Sequence, residues 1–163
     1  MDKFRESRKD KLLKPELHDP YVRLRQTGLA HCPSCGAHCQ AGRWSWQPAP
    51  ANGNAPEAEY CPACRRIADN VPAGTLTLSG DFIDTHRDEI INLAINTEKK
   101  EKERHPLERL MRFRQTDDGM VITTTGVHLA NRIGHALDAA YKGHSEYRYS
   151  DSDVHVDIRW LRN

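Results

Sequence analysis

The sequence predicts an α+β protein, with a small cysteine-rich module at residues 30–72 followed by a small mixed sheet with helices packed on one side at residues 73–163. Three observations predict it. All five cysteines fall between residues 30 and 66, four of them in two Cys-x-x-Cys pairs. From residue 74 the texture changes to alternating strand and helix signals. Residues 127–142 then carry the clearest helical period in the chain, with Ala130, Ile133, Leu137, Ala140 and Tyr141 on one face.

Taken in order, residues 1–29 read as a flexible basic arm. Pro15 and Pro20 interrupt any helix there, and the apolar positions have no period. The segment from Gln47 to Pro56 is dominated by Pro, Gly and Asn and reads as an exposed loop tip. Its flanks, Arg43–Trp46 and Glu57–Tyr60, are expected to pair as a short hairpin. Thr75–Ser79 alternates hydroxyl and Leu, the pattern of a half-buried strand. Gly80-Asp81 opens a helical stretch with Asp81 as N-cap, and Ile83, His86, Ile90, Leu93, Ala94 and Thr97 follow helical spacing. The mixed-charge run Glu98–Arg104 extends that helix as a solvated face. Pro106 is placed to start a further helical segment with Leu107, Leu110 and Met111 on one side. Asp117-Asp118-Gly119 is a turn, Met120–Thr125 a β-branched strand closed by Gly126, and Gly143 a C-cap for the helix at 127–142. Tyr147–Tyr149 and Val154–Trp160 finish the chain as strands. In the second, Val154, Val156, Ile158 and Trp160 face one way, and His155, Asp157 and Arg159 the other.

Composition narrows the function classes. The chain has 163 residues, 37% apolar and 29% charged, with 24 Lys and Arg against 23 Asp and Glu. Mean hydropathy is −0.77. A net charge of +1 argues against a protein held to nucleic acid by bulk electrostatics alone, because phosphate neutralisation needs surplus cations. What surplus exists lies in residues 1–30, with eight cations and five anions. No apolar run approaches membrane-spanning length and no signal-peptide stretch precedes residue 30, so the chain is expected to be cytoplasmic.

Cys32-Pro33-Ser34-Cys35-Gly36 and Cys61-Pro62-Ala63-Cys64 carry the chemistry. Two residues between cysteines let both sulfurs converge on one ion while backbone amides of the turn donate to them. Two such knuckles, 25 residues apart, supply the four thiolates of a closed tetrahedral site, which makes Cys32, Cys35, Cys61 and Cys64 zinc ligands and the module a zinc ribbon. Disulfides fit a reducing compartment less well, a thioredoxin-type pair lacks its strand–helix context, and paired knuckles favour Zn2+ over an iron–sulfur cluster. Four thiolates leave no open coordination position, so the ion folds the module rather than reacting. Cys39 stands outside the pattern, near His31 and His38, and reads as a spare cysteine.

Arg43, Trp44 and Trp46 between the knuckles, and Arg65 and Arg66 after the second, combine cations with flat aromatic faces and are candidate RNA contacts. The bland alternatives are that the tryptophans cover the metal site and that the Arg pair is simply solvated. Thr123-Thr124-Thr125-Gly126 offers a weak anion-binding signal. His128 and His135 share a helix face without forming a catalytic set, and no activated nucleophile stands out.

The knuckles, together with Gly74–Phe82, His86-Arg87-Asp88-Glu89-Ile90, His105-Pro106-Leu107-Glu108-Arg109-Leu110-Met111, and Ile122–Thr125 through His128–Gly134, resemble small bacterial relatives of the zinc-ribbon adaptors for large ribosomal subunit export and maturation. The resemblance spans residues 30–163 and implies association with RNA or a ribosomal particle, without catalysis. The expected function is thus a non-catalytic zinc-ribbon binding protein acting on RNA or ribosomal particles. The alternative is a protein–protein adaptor with a structural zinc. An enzyme is a distant third.

Overall fold

The computed structural model describes Tyr21 and residues 28–48, 55–150 and 154–163. The expected basic arm lies outside the described residues except for Tyr21, Gly28 and Leu29. The loop tip at 49–54 and the turn at 151–153 lie outside them too. Tyr21 packs on the helix Pro62–Asp69, its hydroxyl donating to Asp69 at 2.9 Å and the Arg66 guanidinium lying 4.5 Å from its ring centroid. No helix among the described residues is long and apolar enough to cross a membrane.

Among the described residues the architecture is α+β, with two small mixed sheets and four helices. The first sheet holds β1 (Leu29–His31), β2 (His38–Gln40), β3 (Arg43–Ser45) and β4 (Glu57–Ala58) in the order β3-β2-β1-β4, and α1 (Pro62–Asp69) follows it. The expected hairpin between β3 and β4 does not form. β3 instead pairs antiparallel with β2, and β4 runs parallel to β1 on the far edge. The reason is local: Ala41 and Gly42, both at positive φ, close a tight β2–β3 turn that claims β3 before β4 is reached.

The second sheet runs β6-β7-β5-β9-β8, from β5 (Gly74–Ser79), β6 (Leu110–Thr116), β7 (Gly119–Thr124), β8 (His144–Tyr149) and β9 (Val156–Leu161). β5 lies antiparallel to β7 and parallel to β9, in register Leu76↔Ile122 and Leu76↔Ile158. Period-two patterning then sorts the strands by face. Phe113, Ile122, Leu76, Ile158 and Tyr147 form one inward row across all five strands, and Leu78 lies between Met120 and Trp160 in the next. These side chains pack with Ile83, Ile90, Ala94, Leu129, Ala130, Ile133 and Leu137 of the helices into one core. Arg159 and Asp157 face outward, as the alternation predicts.

The helical stretch after β5 is two helices, α2 (Asp81–Thr85) and α3 (Arg87–Arg104), broken at His86. Asp81 is not the N-cap. Gly80 takes that position at φ 109°, where any Cβ would collide with the Arg162 carbonyl, and no side chain caps the helix. No helix begins at Pro106. A short turn there leads into β6, because β7 claims Leu110–Thr116 through antiparallel pairing closed by the Asp117-Asp118 turn. α4 (Val127–Ala140) buries Ala130, Ile133 and Leu137 as expected, whereas Ala140 is exposed. Its C-cap is Tyr141 in extended backbone, and Gly143 instead admits the close approach of the Trp160 ring.

Candidate metal centre and the cleft beside it

The parallel pairing of β4 with β1 builds the cysteine cluster. Ala30 lies opposite Glu57 and His31 opposite Ala58, and the Glu59 amide donates to the His31 carbonyl at 3.0 Å. Both strands therefore deliver their next cysteine, Cys32 and Cys61, at the same end of the sheet. The first knuckle is closed by Cys32 N–H to Ala37 O (2.8 Å) and Gly36 N–H to Cys32 O (2.9 Å), with Gly36 at φ 83° making the reversal. The second knuckle is the start of α1. Cys61 is its N-cap, the Sγ accepting from the Cys64 amide at 3.3 Å as a capping hydroxyl would, and Pro62 occupies the first turn, where no amide is needed.

The sulfurs of Cys32, Cys35, Cys61 and Cys64 all lie within 4.8 Å of one another, and Cys35 and Cys61 are 3.8 Å apart. Four sulfurs held about 2.3 Å from a central ion at tetrahedral angles are about 3.8 Å apart, so the spacing suits one metal ion. Three of the four side chains are buried and Cys35 is half-buried, and the cluster they make with Ala37 and Ala63 contains little apolar bulk. Burial pushes the Cys61 and Cys35 thiols up. At Cys32 burial is outweighed by amides of Cys61, Cys35 and Ser34, which draw the thiol down to about 7. The arrangement can hold a metal ion in a closed all-sulfur shell.

Arg109 reaches this cluster from the second sheet's side of the molecule. Its Nη2 donates to Cys61 Sγ at 3.0 Å and to Cys64 Sγ at 3.1 Å. Four thiolates around a divalent ion leave a net double negative charge, which a guanidinium at this distance partly neutralises. Arg109 is fixed in turn by its own backbone: its amide donates to Thr125 Oγ1 at 2.9 Å, and its carbonyl accepts from the Thr125 amide at 2.8 Å. Trp46 adds a second tie, Nε1 donating to the Lys102 carbonyl at 2.6 Å near the end of α3, and Leu107 packs against the cysteine cluster. Nothing in cysteine spacing points to Arg109, since 45 residues separate it from Cys64. Only the tertiary fold joins them.

The candidate RNA contacts are divided by the structure. Arg43 is exposed, and its side chain has no ion-pair or hydrogen-bond partner among the described residues. Trp44 is half-buried, packed on the cysteine cluster and lining a cleft. Trp46 is engaged with Lys102 as above. Arg65 is paired with Glu59 at 3.2 Å. Arg66 is buried, 4% exposed, with Nη1 donating to the Val71 carbonyl at 3.0 Å. Arg43 and Trp44 are thus brought together at one edge, while Arg65, Arg66 and Trp46 are spent on folding the module. Cys39 is buried in β2 opposite Trp44 and outside the cluster, and His31 and His38 face each other across β1 and β2 at 5.0 Å.

At the Thr-rich strand end Thr123 Oγ1 is buried with no hydrogen-bond partner among the described residues, while the next two hydroxyls are occupied from within. Thr124 Oγ1 donates to Gly126 O at 2.7 Å and Thr125 Oγ1 to Leu107 O at 2.6 Å, so neither hydroxyl is left for an anion. Glu108 closes the N-terminus of α4 instead, Oε2 accepting from the Leu129 amide at 2.9 Å. Burial pushes this carboxyl above the usual carboxylate range, against the pull of the Leu129 amide and of His128 and His105 nearby. Nor is the Glu98–Arg104 run merely solvated. Glu98 accepts from the Leu110 amide at 2.6 Å, and Glu101 holds His128 and Arg132 at 3.1 Å each.

Between the ribbon and this end of α3 and α4 lies a cleft of about 500 Å3. Arg43, Trp44, Arg104, His105, Glu108 and His128 line it. No family model matches the chain. No curated protein and no solved structure gives a significant match either.

Proposed function

We propose that this chain is a non-catalytic zinc-ribbon protein that associates with RNA or a ribosomal particle, in the manner of the small zinc-ribbon adaptors its sequence resembles. The observation that carries the reading is the buried, closed four-sulfur cluster. Zn2+ is the ion that such a shell prefers, and with every position taken by thiolate it would fold the ribbon rather than activate water. Cys32, Cys35, Cys61 and Cys64 would hold it, and Arg109 would offset their charge. Arg43 and Trp44, consecutive in β3 and both lining the cleft, support an RNA contact, since an exposed cation near a flat aromatic is what backbone phosphate and unstacked bases engage.

A second reading, a protein–protein adaptor, has its own observation. Tyr60, Ile67 and Val71 are 56%, 42% and 42% exposed around α1, an apolar surface on the ribbon.

Co-sedimentation of the zinc-loaded chain with ribosomal particles and with free RNA, at low and high salt, separates the two. RNase-sensitive, salt-weakened recovery that is lost in Arg43→Ala and Trp44→Ala supports the RNA reading. Recovery that resists RNase and fails in Ile67→Ser instead favours the adaptor.

A further inference from the structure

The cleft between the ribbon and the α3–α4 end has a chemistry that narrows its occupant. Its volume, about 500 Å3, is that of a small-ligand site rather than a flat contact. Trp44, Pro62, Pro106 and Leu107 supply its apolar lining, the Trp44 indole being the aromatic surface among them. Arg43 and Arg104 border it, both exposed and neither with a side-chain partner among the described residues. Glu108 supplies the cleft's carboxylate. Its Oε2 is engaged by the Leu129 amide, and no hydrogen bond reaches Oε1 among the described residues. His105 and His128 stand edge to face nearby, ring centroids 6.0 Å apart.

Each simple ligand class fails on one of these features. A bare anion meets the Glu108 carboxylate, a cation meets the two exposed arginines, and a purely apolar ligand leaves all three groups desolvated without partners. A flat molecule that is anionic at one end and a hydrogen-bond donor at the other satisfies all of them. We infer that this cleft takes a guanine nucleotide, its base against Trp44, its phosphate at Arg43 and Arg104, and its N–H edge at Glu108. Guanine is singled out because, of the four RNA bases, only its Watson–Crick edge offers two adjacent donors, N1–H and the N2 amino group, to one carboxylate. The inference rests on the RNA reading in taking that nucleotide from a single-stranded segment. The same chemistry also fits free GMP.

The test is a fluorescence titration of the zinc-loaded full chain with GMP, IMP, AMP, CMP and UMP. Trp44→Phe identifies the signal against Trp46 and Trp160. GMP is expected to quench Trp44 and to bind about ten-fold more tightly than AMP, CMP or UMP, with IMP, which lacks the amino group, in between. Glu108→Gln keeps an acceptor for the Leu129 amide and so preserves the α4 cap. It is expected to erase the preference for GMP, while Arg104→Gln weakens all five nucleotides alike. A folded protein that binds none of them at millimolar concentration, or binds all equally, overturns the inference.

Ribosomal co-sedimentation of Glu108→Gln keeps the two readings apart. If wild type and variant co-sediment equally and GMP does not bind, the guanine site is wrong and the RNA reading stands. If GMP binds through Glu108 while RNA is not retained, the site is right and its source is the free nucleotide.

Discussion

Removal of the Arg109 guanidinium is the perturbation that most directly probes how the metal centre is joined to the rest of the molecule. Arg109→Met keeps much of the side chain's length and its backbone bonds to Thr125, and deletes the two N–H···S contacts of 3.0 and 3.1 Å. Hydrogen bonds to a charged partner contribute about 1.5–3 kcal/mol each, so two of them set a scale of about 3 kcal/mol or more. Partial exposure and the variant's freedom to admit water reduce that figure. Outer-shell substitutions at metal sites typically cost about 10–100-fold in affinity, which corresponds to roughly 1.4–2.8 kcal/mol. The two routes meet near 2–3 kcal/mol, and a metal affinity weakened by about 30–100-fold is expected. Arg109→Lys keeps a charge but offers a compact ammonium in place of the planar fork, and should fall between. The assay is competition with a chromophoric chelator, read alongside the charge-transfer bands of the cobalt-substituted protein. If Arg109→Met held metal within about three-fold of wild type while its five-stranded sheet stayed intact, the assignment of Arg109 to the thiolates would be refuted.

Three further outcomes are expected. Chelation of the metal should abolish amide protection over 28–48 and 55–70 while leaving β5, β7 and β9 protected in hydrogen exchange. The ribbon cluster has only Cys and Ala at its buried centre, whereas the second sheet owns a large apolar core. Gly80→Ala should lose about 2 kcal/mol or more in denaturant unfolding, from a left-handed φ of 109° compounded by collision with the Arg162 carbonyl. Glu108 carries a carboxyl raised by burial, so its contribution is most favourable at low pH and is lost as pH rises through its native-state value. Glu108→Gln should therefore be more stable relative to wild type at pH 8 than at pH 5. A difference independent of pH would show that the carboxyl titrates as in the unfolded chain.

Much of the architecture was legible in the residue pattern because it rests on local repeats. Each Cys-x-x-Cys spacing specifies two converging sulfurs, the β1–β4 pairing brings the two pairs together, and the alternation in Val156–Trp160 specifies one buried and one wet face wherever that strand is placed. The helix at Val127–Ala140 announces itself by its period. Where the reading failed, local and non-local preferences competed. Leu107, Leu110 and Met111 fit a helical spacing, but Leu110 and Met111 also fit a strand, and β7 decided the matter by offering a pairing partner. Arg43–Trp46 and Glu57–Tyr60 are equally able to form a hairpin with each other or to join β2 and β1. The positive-φ turn at Ala41-Gly42 resolved that.

The site divides in the same way. The sequence alone singled out Cys32, Cys35, Cys61 and Cys64, the four cysteines whose sulfurs lie close enough to hold a metal ion. It also placed Arg43 and Trp44 at a candidate surface, but it could not separate them from Arg65, Arg66 and Trp46, which carry the same chemistry. Only the tertiary structure decided which of these cations and aromatics are consumed by folding and which remain available. It alone set Arg109 on the sulfurs and Glu108 in the cleft. The physical reason is that charge pairing and burial depend on distance in space, and residues 45 positions apart acquire a distance only when the chain has folded.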